Sequence, residues 1–178
     1  MDRARARGIS LWLVPEGDTR LRLAALIDRL AARLGTEPFA PHVTLFPGLP
    51  GPEDAVLGAA SAVASGLPPL LVRLGGVEGH DEHFRCLFAR AVVDGPLRAA
   101  HAAVARAFDR EPDPAFLPHL SLVYGTLPPE TKWPLAMELA SAVPGSIEAA
   151  RLHVWRTEGP VGDWRELGTF LLEGGGRP

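Results

Sequence analysis

The sequence predicts an α+β fold in which two pseudo-symmetric antiparallel sheets line a central cleft and helices lie outside. Three observations lead there. Short alternating apolar stretches, about seven in number, are interleaved with four stretches of helical periodicity. The phrase Pro-His-apolar-hydroxyl-apolar occurs twice, as Pro41-His42-Val43-Thr44-Leu45 and as Pro118-His119-Leu120-Ser121-Leu122. Each copy is preceded and followed by a helical stretch, and Pro38-Phe39-Ala40 and Pro114-Ala115-Phe116-Leu117 extend the likeness upstream.

Gly8 to Val14 alternates as a strand, with Ile9, Leu11 and Leu13 on one face and Ser10, Trp12 and Val14 on the other. Pro15 ends it. Trp12 therefore either lines a cleft or is an ordinary half-buried tryptophan. A helix is expected from about Arg20 to Leu34, capped by Asp18 or Thr19, with Leu23, Leu26, Ile27, Leu30 and Leu34 at helical spacing. The first repeated phrase is a strand from His42 to Phe46, broken at Pro47-Gly48. Pro52-Glu53-Asp54 starts a second helix that lasts to about Ala64, with acids in its first turn.

Leu70 to Val77 is a strand in which Gly75-Gly76 marks a bulge or bend. Those glycines lack the spacing of a phosphate-binding loop and no helix follows them. His80-Asp81-Glu82-His83 reads as a polar hairpin connection, since neighbouring side chains on an extended segment point apart and do not converge on one ion. Phe84 to Val93 is the partner strand, with Phe84, Cys86 and Phe88 on one side. A helix from Asp94-Gly95-Pro96 to about Phe108 places His101 at its surface or edge. Asp109 to Pro114 is a loop, and the second phrase is a strand from His119 to Tyr124. Strict alternation puts Tyr124 with Leu120 and Leu122, away from His119, unless the strand twists or ends at Gly125. Pro128-Pro129 begins a helix to about Ala142. Ile147 to Arg156 and Trp164 to Leu172 form a terminal hairpin.

The chain has 178 residues, 47% of them hydrophobic, and a net charge of −3. This is enough for one domain, residues 1–178, with ends fraying over about 1–7 and 174–178. The basic arm of Arg3, Arg5 and Arg7 reads as a solvated terminus. No run is apolar enough to span a bilayer or to act as a signal peptide, so a soluble, cytoplasmic protein with no membrane partner is expected, most simply a monomer. Cys86 is the single cysteine, which excludes an internal disulfide and a cysteine-based metal site and suits a small buried hydrophobe. The mildly acidic balance argues against DNA or long nucleic acid as a partner. A small anionic ligand fits it.

In a strand, residues i and i+2 share a face, so His42 with Thr44 and His119 with Ser121 each present an imidazole beside a hydroxyl. Two imidazoles handle protons near neutral pH, one as base and one as acid. Two hydroxyls donate to a tetrahedral anion. Such a set brackets a phosphorus without needing a metal or cofactor, and a cyclic phosphate suits it because the strained ring needs only positioning, a water and two proton transfers. A serine triad does not fit. Ser121 lies two residues from His119 on one strand, where side chains run parallel, and no Gly-x-Ser-x-Gly elbow surrounds it.

At these residues the sequence resembles the two-histidine (2H) phosphoesterase superfamily, whose mark is a pair of His-x-Thr/Ser motifs, and within it the cyclic phosphodiesterase branch known from plants and yeast. The likeness runs through Ser10-Leu11-Trp12-Leu13-Val14-Pro15, Phe39 to Thr44, Phe84 to Phe88, Pro118 to Tyr124 and the Trp164 segment. The resemblance implies a bilobal fold with a water-filled cleft. It also implies hydrolysis of ADP-ribose 1″,2″-cyclic phosphate, or of nucleoside 2′,3′-cyclic phosphates to 2′-phosphates. It assigns catalysis to His42 and His119, phosphate binding to Thr44 and Ser121, and ligand contacts to Trp12, Phe84 and Tyr124. Redox control through disulfides does not transfer to a chain with one cysteine. Two alternatives are an RNA 2′,3′-cyclic phosphodiesterase or 2′-5′ RNA ligase-like enzyme acting on an RNA terminus, which should carry a basic surface, and a non-catalytic nucleotide-binding module, which intact motifs disfavour.

Overall fold

Val43 faces Leu120 in the register pair that joins the two strands of the repeated phrase, and four strands lie to either side of that junction. The structure is a computed structural model that describes residues 6–174. Its elements are β1 (Ile9–Leu13), α1 (Gly17–Leu34), β2 (Val43–Leu49), α2 (Glu53–Gly66), β3 (Leu70–Glu78), β4 (Leu87–Ala91), α3 (Gly95–Ala107), β5 (His119–Val123), α4 (Pro129–Leu139), β6 (Ser146–Ala149), β7 (Arg151–Arg156) and β8 (Arg165–Leu171). The strands form one antiparallel sheet ordered β6-β3-β4-β5-β2-β1-β7-β8. The α+β class is as expected. The two separate sheets are not: they are the halves of one sheet, because the motif strands that should face each other across a cleft also pair, briefly, edge to edge.

Helices cross that junction. α1 follows β1 but packs on β5, and α3 follows β4 but packs on β2, so each half of the sheet is covered in part by a helix from the other. The apolar residues of the motif strands, Val43, Leu45, Leu120 and Leu122, are buried in a core shared with Leu23, Leu26 and Leu30 of α1 and Leu97, Ala100 and Val104 of α3. Burying a leucine or valine side chain contributes about 1.5–3 kcal/mol each. Separating the halves would therefore expose the side chains that seat both motif strands.

Several local expectations change, each through a tertiary contact. β2 does not stop at Phe46 but runs through Pro47 and Gly48 to Leu49, because the β1–β2 register shifts along this stretch and a bulge tolerates proline. The strand expected from Phe84 begins only at Leu87, and His83–Arg85 forms a 3-10 turn instead. The Arg85 N–H closes the turn on the Glu82 carbonyl at 3.0 Å, and the segment just before it is anchored by Lys132 on α4, the chain's single lysine: it is buried, its ammonium donates to the His80 carbonyl at 2.9 Å and pairs with Asp81 at 2.5 Å. Its stem passes so close under Gly79 that a Cβ there would sit 2.6 Å from Lys132 Cδ. The expected strand from Ile147 to Arg156 is split at Ala150, so that β6 pairs with β3 while β7 pairs with β1 at the other half. β7 and β8 form the expected hairpin. The register of β3 shifts between Leu74 and Val77, at Gly75-Gly76.

α1 starts at Gly17 behind Glu16, without a side-chain cap from Asp18 or Thr19. Asp94 caps α3 through its carboxylate, which accepts from the Leu97 N–H at 3.1 Å. Among the described residues pairing begins at Ala6, which bridges Gly159, and the Gly174 N–H donates to the Leu67 carbonyl. Arg3, Arg5 and residues 175–178 lie outside the described residues. Among the described residues no helix is long and apolar enough to cross a membrane.

Gly8 has φ +76, and a Cβ there would lie 2.8 Å from the Leu49 carbonyl oxygen, whereas Gly17, at φ +54, has open space around it. Gly8→Ala is expected to cost about 2 kcal/mol or more and Gly17→Ala about 1 kcal/mol. Urea-unfolding midpoints of the two variants, compared with the parent protein, check the order.

Candidate active site

Both repeated histidines are held by the same local device. The Nδ1 of His42 lies 2.6 Å from the Ala40 carbonyl oxygen, and the Nδ1 of His119 lies 2.8 Å from that of Leu117. A carbonyl only accepts, so each Nδ1 carries the hydrogen and each Nε2 is left as the reactive nitrogen. The intervening Pro41 and Pro118 fix φ and thereby hold the accepting carbonyl at a set place relative to the ring. With Val43 opposite Leu120, the antiparallel register sets His42 across from Ser121 and Thr44 across from His119. Four polar residues thus occupy the corners of one patch on the face of the sheet opposite the helical core.

That patch borders a cavity of about 650 Å³, whose wall includes His42, Thr44, His119, Phe84, Tyr124 and Trp12. Of the seven candidate residues, the cavity wall therefore takes six. The seventh, Ser121, is buried behind it: its hydroxyl donates to the Phe84 carbonyl at 3.2 Å and lies in hydrogen-bonding contact with the Tyr124 phenol. Tyr124 reaches the cavity because β5 ends at Val123, which frees it from the strand alternation that would have turned it away. Burial pushes its phenol up, so it stays a neutral O–H donor. Phe39 stacks on Tyr124 at 3.8 Å, and Phe84 meets Tyr124 edge to face at 5.2 Å.

The two imidazoles are alike in their clamps and different in their surroundings. His42 is 4% exposed and lies flat on Trp12, with centroids 3.5 Å apart and planes at 7°. Trp12 is itself 1% exposed and stacks on Trp155 at 4.5 Å, so most of its surface supports His42 from behind. Burial drives the His42 pKa down to about 3, against the opposing pull of the Ala40 carbonyl and with a further push from His119. His119 is only partly buried. Its pKa is also lowered, by burial first and then by the Arg85 guanidinium, while the carbonyls of Leu117 and Phe84 pull it back up. His42 is thus firmly neutral, and His119 is the imidazole that takes a proton more readily.

Three contributors escaped sequence reasoning. Strand alternation turns Arg85 away from Phe84, but the 3-10 turn brings both to the cavity, where Arg85 also pairs with Glu82 at 2.6 Å. Arg110 reaches the wall from the 109–117 loop, with no local signal to mark it. His101, expected at a helix surface or edge, is 3% exposed: α3 presents it to the strand it covers, where it packs between aromatic rings. Cys86 is buried, with its thiol pKa raised by burial. Among the described residues no group of three or more His, Cys, Asp or Glu side chains is placed to hold a metal ion, His80 to His83 included.

Residues 19–160 match the family model described as the 2′-5′ RNA ligase superfamily. Among solved structures, TT0787 of Thermus thermophilus superposes with a TM-score of 0.60 at 23% identity, over 95% of this chain and 99% of that one. Escherichia coli LigT complexed with 3′-AMP superposes with a TM-score of 0.57 at 16% identity, again over 95% of this chain and 99% of that one. The same LigT has been crystallised with phosphate and with ATP. At these identities the superpositions speak for the fold. No curated protein matches the sequence.

The depressed pKa of His42 ties stability to pH. Between the ordinary value of 6.5 and about 3 the unfolded chain binds the proton more readily than the folded one, so stability falls as pH falls through that window. His42→Phe keeps a ring on Trp12 but takes up no proton. Its urea midpoint is expected to drop less than that of the parent protein between pH 7 and about pH 4.5.

Proposed function

The chain belongs to the 2′-5′ RNA ligase superfamily, the two-histidine phosphoesterases, and from that premise we propose that it opens cyclic phosphodiesters by attack of water, without a metal or cofactor. The observation that carries the reading is the matched pair of Nδ1–H clamps, which turns the same nitrogen, Nε2, of both imidazoles over to proton transfer at one cavity. His42, held neutral, takes the proton from water as its oxygen bonds to phosphorus. The bond from phosphorus to one ring oxygen breaks, and His119, protonated, gives its proton to that departing oxygen. The product as formed is a monoester that keeps the second hydrogen of the water on its new phosphate oxygen and has the same charge as the substrate. His119 is left neutral and His42 protonated, and His42 gives its proton up to solvent while His119 takes one back before the next turnover. The Thr44 hydroxyl, half-buried at the cavity, donates to a non-bridging oxygen. Ser121 acts on that oxygen only after its hydroxyl leaves the Phe84 carbonyl; until then it fixes the turn that carries Phe84 and Arg85.

The substrate class is nucleotide-like: a nucleoside 2′,3′-cyclic phosphate opened to the 2′-phosphate, or ADP-ribose 1″,2″-cyclic phosphate. The aromatic group of Phe39, Phe84, Tyr124 and Trp164 supplies flat apolar surface for a base, with ring centroids 3.8–6.1 Å apart. That LigT accommodates 3′-AMP in a similar fold supports a nucleotide ligand. A second reading, a 2′,3′-cyclic phosphate at an RNA terminus, is favoured by the family match together with Arg85 and Arg110 at the cavity wall. We place the reaction in the cytoplasm and on a monomer.

The expected outcomes are specific. His42→Ala or His119→Ala lowers kcat by about 10²–10⁴-fold while the circular dichroism spectrum is unchanged. Full activity in either variant contradicts the mechanism. The pH dependence of kcat/KM, which reports the free enzyme, is a bell. Its acid limb falls as His42 protonates near pH 3 and its alkaline limb falls below pH 6.5 as His119 loses its proton. In kcat the alkaline limb moves up, because a bound phosphate anion stabilises the imidazolium. Activity persists in EDTA. Turnover of adenosine 2′,3′-cyclic phosphate and ADP-ribose cyclic phosphate, set against an RNA oligonucleotide ending in a cyclic phosphate, separates the two substrate readings.

A further inference from the structure

We propose that His101 is a positioning residue, a brace that sets the cavity wall facing the candidate catalytic imidazoles and so determines how tightly the ligand binds. The proposal rests on the function given above. His101 is buried on α3 with both ring nitrogens engaged. Its Nδ1–H donates to the carbonyl of Leu45, the residue after Thr44, at 2.9 Å. Its Nε2 accepts from the Asp113 N–H at 3.1 Å. The ring lies between two phenyl rings, Phe116 at 3.9 Å and 17° and Phe46 at 5.2 Å and 26°. One imidazole therefore joins the strand of the first phrase to the loop that leads into the second. A buried histidine bonded on both sides is also confined to a single tautomer, since a carbonyl needs a donor and an N–H needs an acceptor.

The loop it holds, 109–117, has no sheet pairing of its own. It leaves α3 through Asp109, a non-glycine residue at φ +52, and its turn is closed by the Phe116 N–H donating to the Asp113 carbonyl at 3.1 Å and by Ala115 N–H donating to the Asp113 carboxylate at 2.8 Å. Those bonds fold the loop on itself without fixing it to the sheet. The His101 contacts with Asp113 and Phe116 make that connection, and Arg110, Asp113 and Phe116 all line the cavity. The backbone at His119 is secured separately: it is paired with Arg90 in β4, and the Ala91 N–H donates to the Pro118 carbonyl at 3.0 Å, which also holds the chain next to Leu117, the loop-end residue whose carbonyl clamps the His119 ring. Loss of the brace is therefore expected to loosen the wall while the proton-transfer groups stay in place.

Three variants dissect the brace. Glutamine places an amide oxygen near the position of Nε2 and restores the acceptor for Asp113. Asparagine places an amide N–H near the position of Nδ1 and restores only the donor to Leu45. Phenylalanine keeps the stacking and restores neither. With adenosine 2′,3′-cyclic phosphate as substrate, His101→Asn and His101→Phe are expected to raise KM about tenfold with kcat within about twofold, and His101→Gln to keep both. Hydrogen exchange at the Asp113 amide should accelerate at least about tenfold in the Asn and Phe variants and not in the Gln variant. A general structural role would impair all three alike, and equal KM values or equal exchange in all three overturn the proposal. In the parent protein, ¹⁵N NMR should show His101 protonated at Nδ1 only, and an Nε2–H tautomer overturns the brace even if no variant folds. Failure of the parent protein to turn over any cyclic phosphate refutes the function instead, and the exchange and NMR results then still decide the brace.

Discussion

The pairing of Val43 with Leu120 is the contact on which the rest of the molecule depends. It is short, and it would make a weak joint if the two halves of the sheet met there alone. The helices supply the strength: α1 and α3 each cross to cover the motif strand of the opposite half, so the core that seats β2 is continuous with the core that seats β5. The polar residues at the junction are thus carried on strands that cannot shift independently without exposing buried leucines. A cavity between two repeats gains its precision from this interlock rather than from strand pairing.

Within that frame the two halves do different things with the same device. Each imidazole is fixed by a carbonyl two residues upstream, across a proline, and so exposes the same nitrogen. What differs is the support. His42 lies on a stack of two tryptophans and pays for that packing with a proton affinity far below the ordinary range. His119 is more open and has two carbonyls to stabilise its charged form, set against partial burial, the Arg85 guanidinium and His80. Two groups of the same kind acquire unequal proton affinities from their environments, both below the ordinary value and His42 the lower, so that one serves as the base and the other is the readier acid.

The class of the fold and the placement of His42, Thr44 and His119 at one cavity were legible because they rest on local signals: period-two alternation, a proline before each motif, and a repeat. The missing parts are those set by contacts distant in sequence. Nothing near Phe84 announces that Lys132, about fifty residues later, will anchor the segment leading into it, or that the strand will give way to a 3-10 turn that brings Arg85 to the cavity. His101 shares the buried face of α3 with Leu97, Ala100 and Val104, and that face, rather than the residue's polarity, decided its burial. Trp12 was correctly placed on the face away from Leu11 and Leu13, but only the packed structure shows it beneath His42. The two sheets became one because counting alternation along each strand says nothing about which strands adjoin.

The most direct test of the account is an NMR titration of the imidazole ring signals of His42 and His119 in the ligand-free protein. Both rings are expected to carry their neutral-state hydrogen on Nδ1, and His119 to gain its second proton at a higher pH than His42, which stays neutral far below 6.5. Protonation of His42 before His119, or an Nε2–H tautomer at either ring, would contradict it.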